Sequence, residues 1–434
     1  MERLPRTKLM RWCWIQARSI SSWTSFNSEF KSLPLQQAVA SAHEPVEVPS
    51  SDICFDNLVV NRSGRLKVKP VADANVLKFG AETTDHMLQI SWNEQQGWLS
   101  PEINPLQHLK LHPCAQVLHY ATECFEGMKA YKDKDGRIRL FRPLMHMNRL
   151  LKSAQRLALP EFDKMELLDC IKELVRLERD WIPSKEGFSL YIRPAMIATQ
   201  ACLGIQAPRE GMLFVVLSPV GPYFPTGLKP VKLFVDRRNV RAYPGGVGDR
   251  KLGGNYAQTV VPQLEAAKRG CSQVLYVLEG TERIGEAGSM NIFFLLRDGT
   301  KSGAMELVTP ALDGTILPGV TRDTVLKLAS NIPGLKVSER PLNFPEIEAA
   351  VARGDLLEAF GTGTACMIQP VEGMLKENGQ LISVPFNLEA ANQWISRHDC
   401  KSREFPFNLC GYLTRTISDI HYGHVPSEWS VVVN

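Results

Sequence analysis

The run Ser218-Pro219-Val220-Gly221-Pro222-Tyr223-Phe224-Pro225-Thr226-Gly227-Leu228-Lys229-Pro230 holds four prolines and two glycines. Each proline fixes φ and removes a backbone donor, so the run should continue neither a helix nor a central strand. It is therefore read as a linker, 218–230, between two domains. In a chain of 434 residues both flanking parts are long enough to bury a core. The expected partition is a smaller N-terminal domain over 53–217 and a larger one over 231–434.

Both parts mix strands and helices. In the first, strands are expected at 58–60, 87–92, 189–193 and 212–217, and Lys132-Asp133-Lys134-Asp135-Gly136 is a hairpin turn between 128–131 and 138–141. Leu144, Met147, Leu150, Leu151 and Leu157 recur at helical spacing, as do Leu167, Leu168, Ile171, Leu174, Val175 and Leu177. In the second, strands are expected at 231–235, 273–278 and 291–296, and helices at 257–269, 321–329 and 344–353. Mixed order of this kind reads as α+β, with a ligand site where the domains meet.

Charge and cysteine content exclude several classes. A net charge of +4, with acids and bases interleaved, gives no track for nucleic acid. Ten cysteines at irregular positions, with no Cys-x-x-Cys, argue for reduced thiols and against a metal site. No apolar run reaches the roughly 18 residues that cross a bilayer. The first thirty residues differ from the rest: Arg3, Arg6, Lys8, Arg11 and Arg18 face only Glu2, and Ser19, Ser21, Ser22 and Ser25 follow. That composition predicts a mitochondrial presequence over 1–30 and a linker over 31–52, with delivery to the matrix. The alternative is an extension that stays attached to a cytoplasmic protein.

The stretch Gly245-Gly246-Val247-Gly248-Asp249-Arg250-Lys251-Leu252-Gly253-Gly254-Asn255-Tyr256 brackets one lysine with glycines. Glycine permits close backbone approach, so Lys251 can stand on a tightly turned wall with its amine toward a bound molecule. The order of residues is not that of a nucleoside-triphosphate loop. By itself the stretch also fits a surface loop without chemistry.

With its companions the stretch resembles the fold-type IV pyridoxal-phosphate enzymes, and most closely the branched-chain amino acid aminotransferases. The companions are Tyr120-Ala121-Thr122-Glu123-Cys124-Phe125-Glu126-Gly127, Ile284-Gly285-Glu286-Ala287-Gly288-Ser289-Met290-Asn291, Leu317-Pro318-Gly319-Val320-Thr321-Arg322 and Gly361-Thr362-Gly363-Thr364-Ala365. The likeness spans about 55–388 and resumes over 411–429. It implies a two-domain α+β fold with pyridoxal 5'-phosphate at the domain interface. Lys251 resembles the Schiff-base lysine, a role that needs a primary amine on a flexible stem.

Tyr256 resembles the tyrosine that bonds the cofactor's phenolic oxygen, and Glu286 the acid that keeps the pyridine ring protonated as an electron sink. Arg149, the Val320 and Thr321 amides at a helix start, and Thr362 are the implied phosphate contacts. Arg142 is expected to be a structural surface residue. Phe79, Tyr120, Phe125, Tyr191, Arg193 and Met290 match the substrate pocket, and the Thr364 and Ala365 amides match the receiver of the substrate carboxylate. Leu203 and Ile205 match a loop that reaches across a two-fold homodimer. Arg193 with Tyr191 suits the distal carboxylate of glutamate or 2-oxoglutarate.

Two departures stand out. Some relatives carry a Cys-x-x-Cys after the threonine motif, but here Cys366 is followed by Met367, Ile368 and Gln369, so no disulfide switch is expected. Pro385-Phe386-Asn387-Leu388 recurs as Pro406-Phe407-Asn408-Leu409. The segment 389–409 reads as an insertion interrupting the last helix, either a tolerated surface loop or retained non-coding sequence.

The expected activity is reversible transfer of the amino group of L-leucine, L-isoleucine or L-valine to 2-oxoglutarate. A D-amino acid transaminase or aminodeoxychorismate lyase of the same fold, and a catalytically silent binding protein, are the rivals.

Overall fold

Two sheets carry the chain in a computed structural model that describes residues 52–70, 72–73, 77–222, 228–297, 304–396 and 408–433. The expected presequence, all of the expected 31–52 linker but its last residue, residues 223–227 of the expected 218–230 linker, and the middle of the 389–409 segment lie outside the described residues.

The first, ten-stranded sheet is built largely from antiparallel neighbours, with Glu210–Val220 between His86–Asn93 and Ser189–Ala198. The hairpin of Met128–Lys132 and Ile138–Phe141 extends it, and Gly136 supplies the positive φ its turn needs. Helices Pro143–Arg156 and Lys164–Leu177 pack on this sheet because their apolar residues fall on one face. Asp163 caps the second, accepting from the amides of Met165 and Glu166 at 2.7 and 3.0 Å.

The second, nine-stranded sheet is mixed. Val231–Asp236 runs parallel to both Gln273–Leu278 and Met367–Leu375, whereas Asn291–Arg297 and Leu356–Gly363 are antiparallel. Its strands are apolar on both faces because helix Phe344–Arg353 covers one side and helices Val320–Ala329 and Leu409–His421 the other. Mixed helix and sheet of this kind is the expected α+β class.

Several expectations need correction. The strand ending at Val220 runs through Pro219, which was read as part of the linker. Pro219 pairs with Leu190, while the neighbouring ladder on the other side stops at Val215, so the missing N–H is not demanded there. The C-terminal part does not stay with the second sheet: Ser430–Val433 returns to pair with Ile138–Phe141 of the first. The helix expected over 257–269 is Val260–Lys268, preceded by the short helix Gly253–Ala257.

The repeated Pro-Phe-Asn-Leu has a structural use. Asn387 Oδ1 accepts from the Ala390 amide at 3.0 Å and Asn408 Oδ1 from the Gly411 amide at 2.7 Å, so each copy caps a helix. Residues Leu388–Ser396 thus form a helix of their own beside Leu409–His421 instead of simply interrupting it. Trp394 meets Tyr412 edge-on with centroids 5.7 Å apart. A Cβ at Gly411 would lie 2.8 Å from the Ala391 carbonyl oxygen, so the two helices touch backbone to backbone there.

Candidate active site

Lys251 is fixed by its backbone. Its amide donates to Ser153 Oγ at 2.9 Å, its carbonyl accepts from the Phe125 amide at 3.1 Å, and the adjoining Leu252 bridges to Cys124. The chain lies so close to the strand Glu123–Phe125 that a Cβ at Gly253 would sit 1.6 Å from Glu123 Oε1. That contact accounts for one of the bracketing glycines. The Lys251 ammonium donates to Tyr256 Oη at 2.9 Å and lies 4.7 Å from the Phe125 ring centroid. The spacing of five works because Tyr256 sits on the short helix begun by Gly253.

The amine faces a cavity of about 380 Å³. On one side are Arg149, Val320, Thr321 and Thr362. Arg149 Nε and Nη2 donate to the Glu126 carboxylate at 2.6 and 2.9 Å, and Nη1 donates to the Pro318 carbonyl at 3.1 Å. His146 Nδ1 is 2.8 Å from Glu126 Oε2. Burial disfavours a charged Glu126, but Arg149 and His146 outweigh it and hold the carboxyl below the usual range. Burial likewise keeps His146 below the ordinary histidine range despite the neighbouring carboxylate.

Helix Val320–Ala329 opens toward the cavity after Gly319, where a Cβ would fall 2.1 Å from Asn291 Oδ1. Thr362, expected in a loop, is on the strand Leu356–Gly363 opposite Asn291, because the ladder to Met367–Leu375 continues to Gly363. Its hydroxyl is buried and has no hydrogen-bond partner among the described residues. Buried hydroxyls are normally satisfied, so this one is suited to a bound acceptor.

Glu286 lies beside the cavity: it touches the wall residue Asn291, and the charges of the wall residues Lys251 and Arg149 act on its carboxyl. It lies on Arg283–Ala287, a strand not foreseen from the sequence, and Oε1 accepts from Asn291 Nδ2 at 3.0 Å. Its other oxygen is ion-paired with the buried Arg241. Burial raises the Glu286 carboxyl above its ordinary value, opposed chiefly by the Arg241 charge.

Phe79, Phe125, Tyr191, Arg193 and Met290 line the remaining wall. Phe79 meets Tyr191 edge-on at 4.7 Å between centroids, and Arg193 Nη2 donates to Tyr191 Oη at 2.9 Å. Arg193 also stacks 4.7 Å over Phe125, and its Nε has no partner among the described residues. Thr364, Ala365 and Cys366 form the turn that closes the cavity. Burial pushes the Cys366 thiol up to about 11, and its Sγ lies 3.4 Å from Met290 Sδ.

Tyr120 is not on this cavity's wall: it hydrogen-bonds the Leu203 carbonyl and is 40% exposed. Leu203 and Ile205, expected to reach across a homodimer, are 58% and 85% exposed in the single chain. The residues that sequence reading passed over are Glu126, His146, Asn291 and Arg241, which hold the expected ones in place. Glu126 and Asn291 lie inside the Tyr120–Gly127 and Ile284–Asn291 motifs, and the signal for both is a polar residue next to apolar ones. Arg142 was expected at the surface; it is buried, bonded to Asp323 and Thr324, and stacked 4.6 Å over Trp429. Among the described residues, no His, Cys, Asp and Glu are grouped to hold a metal ion, and no helix is long and apolar enough to cross a membrane.

Residues 123–373 match the family model described as amino-transferase class IV. A branched-chain-amino-acid aminotransferase of Dictyostelium discoideum is 44% identical over 89% of this chain and 97% of that protein. A cytosolic branched-chain-amino-acid aminotransferase of Ovis aries is 42% identical, covering 90% of this chain and 95% of its own length. The mitochondrial one of Bos taurus is 45% identical over 82% of this chain and 86% of that protein. The crystal structure of the Escherichia coli branched-chain amino acid aminotransferase shares the fold, with a TM-score of 0.60, 24% identity, and coverage of 80% of this chain and 99% of that one.

Proposed function

We propose, for a chain that belongs to the class IV aminotransferase family and within it to the branched-chain-amino-acid aminotransferases, that Lys251 and the cavity it faces carry out the transfer. The chain is a pyridoxal-phosphate-dependent transaminase of L-leucine, L-isoleucine and L-valine with 2-oxoglutarate. The residues present fit that cofactor: the cavity has ligand size, and the partnerless Thr362 hydroxyl lies near an open helix start and Arg149. When bound, pyridoxal phosphate supplies an aldehyde that condenses with primary amines and a protonated ring that takes up the electrons left by a departing α-proton.

The observation that carries the assignment of roles is Lys251 Nζ, held by Tyr256 Oη and set against the Phe125 face. The single lysine on the cavity wall among the described residues, it joins the cofactor and moves the substrate's Cα proton, as base in one half of the cycle and acid in the other. Glu286, positioned by Asn291 and Arg241, holds the ring nitrogen protonated. Arg149, the Val320 and Thr321 amides and Thr362 hold the phosphate, and the Thr364 and Ala365 amides hold the substrate carboxylate. Phe79, Phe125, Tyr191 and Met290 favour apolar side chains, although one methylene discriminates by only about 1–3 kcal/mol. Arg193, with an unused Nε and the Tyr191 hydroxyl beside it, receives the distal carboxylate of 2-oxoglutarate.

The test is the visible spectrum of the loaded protein before and after L-leucine, with 4-methyl-2-oxopentanoate assayed in the presence of 2-oxoglutarate. D-alanine and aminodeoxychorismate serve as rival substrates. A spectral response and turnover with L-leucine alone support the reading, and preference for either rival overturns it.

Exposed Leu203 and Ile205 support a homodimer in which that loop meets the partner. Light scattering of the wild type and of Ile205→Ser tests this, with a dimer expected for the first and a weakened one for the second. The basic, serine-rich first thirty residues favour mitochondria over the cytosol, and relatives of both locations exist. Import of the full chain into isolated mitochondria, with shortening, is the expected outcome.

A further inference from the structure

Behind the turn that closes the cavity lies a buried cation that the roles assigned so far do not use. Lys129, on Met128–Lys132, is 8% exposed. Its ammonium donates to the Ala365 carbonyl at 2.9 Å. No carboxylate lies within ion-pair distance of it among the described residues, although the buried cations Arg149 and Arg241 each have one. A small space beside it is lined by Thr321, Thr364, His146 and His421. Burial and the Lys129 charge push His421 down to about 3, so the imidazole beside it is neutral and does not compete as a second cation. Burial also lowers Lys129 itself, to about 8, which still leaves it mostly charged at neutral pH.

A buried charge is costly unless something opposite faces it. Here the turn supplies one partner, a carbonyl dipole, and the amides of Thr364 and Ala365 donate no backbone hydrogen bond in the described loops and turns. The ammonium engages the carbonyl of Ala365, a residue that also lines the cavity. We propose that Lys129 is a positioning residue for the substrate's α-carboxylate: it fixes the Ala365 peptide so that the turn presents donors to the cavity, and its uncompensated charge favours an anion there. The inference rests on the proposed function and adds a residue that acts through the turn without touching the substrate.

The measurement is the dissociation constant of the loaded enzyme for L-leucine and for L-leucinamide, which keeps the side chain and amine but carries no negative charge. It is taken from the spectral response for wild type, Lys129→Met and Lys129→Arg, together with the dissociation constant for pyridoxal phosphate. Lys129→Met should weaken L-leucine by about tenfold while leaving L-leucinamide and cofactor within about twofold, the loss expected of one charge-assisted contact. Lys129→Arg should recover most of the leucine affinity. Equal weakening of both ligands would make Lys129 merely structural, and weakening of the cofactor instead would assign it to the phosphate; either result overturns the proposal. If wild type loads cofactor but responds to neither ligand, the functional reading itself fails, an outcome distinct from these.

Discussion

Gly127 to alanine is a small change with a calculable consequence. Gly127 is not in the left-handed region, so the backbone there accepts any residue, and the obstacle is space alone. An added Cβ would lie 1.9 Å from Tyr191 Oη, 2.7 Å from Cζ and 3.1 Å from Cε2. Only side-chain atoms are struck, so the ring must swing away. It is buried, packed edge-on against Phe79, and accepts from Arg193.

Overpacking of this kind costs about 1–3 kcal/mol of stability. Loss of the Arg193 to Tyr191 hydrogen bond removes a charged contact of about 1.5–3 kcal/mol. If Arg193 and Tyr191 receive the distal carboxylate, that second figure appears as a rise of roughly ten- to one-hundredfold in KM for 2-oxoglutarate. L-Leucine lacks that carboxylate, so its KM should move by less than about threefold. Steady-state kinetics in both substrates and a thermal melt are the assays. Tyr191→Phe removes the nearest clashing atom, so the double variant should lose less stability than the sum of the two singles. Unchanged kinetics and an unchanged Tm in Gly127→Ala would refute the placement of Tyr191.

Glu126→Gln leaves Arg149 buried without a carboxylate and should cost about 3–5 kcal/mol by denaturant unfolding. Because the folded Glu126 carboxyl is held below its ordinary value, its stabilisation is present above that value and disappears as pH falls toward the folded one; the variant should lack this acid-limb loss. Glu286 is raised in the free protein, so its proton must leave when the carboxylate pairs with a protonated ring. Affinity for pyridoxal phosphate should therefore rise with pH up to that raised value and level off above it, and Glu286→Gln should flatten the dependence, as read by fluorescence titration. Removing 388–408 places Asn387 where Asn408 caps helix Leu409–His421. The shortened protein should keep its cofactor absorbance, and an insoluble product would show that helix Leu388–Ser396 is indispensable.

How much of this was legible in the sequence depended on distance along the chain. Lys251 and Tyr256 are five apart and Glu286 and Asn291 are likewise five apart, so each pair sits within one short motif. The groups that hold them come from far away: Glu126 meets Arg149 from 23 residues off, and Arg241 pairs with Glu286 from a loop on another part of the chain. Period and turn chemistry carry no information about such pairings. The same limit explains Arg142, which looks like a surface cation until Asp323 and Thr324 close over it. Pro219 failed for a different reason. Its composition signals a break, but whether proline can occupy a strand depends on which side is laddered, and that is decided by the neighbouring strand. Strands and long amphipathic helices, by contrast, were readable because burial imposes its period directly on the sequence.

The central claim is that one amine, Lys251 Nζ, joins the cofactor. Borohydride treatment of the loaded protein followed by peptide mass analysis tests it directly. The reduced pyridoxyl adduct is expected on the peptide containing Lys251, and Lys251→Ala should abolish leucine-dependent 2-oxo acid formation. An adduct on any other lysine, or full turnover by the alanine variant, would contradict it.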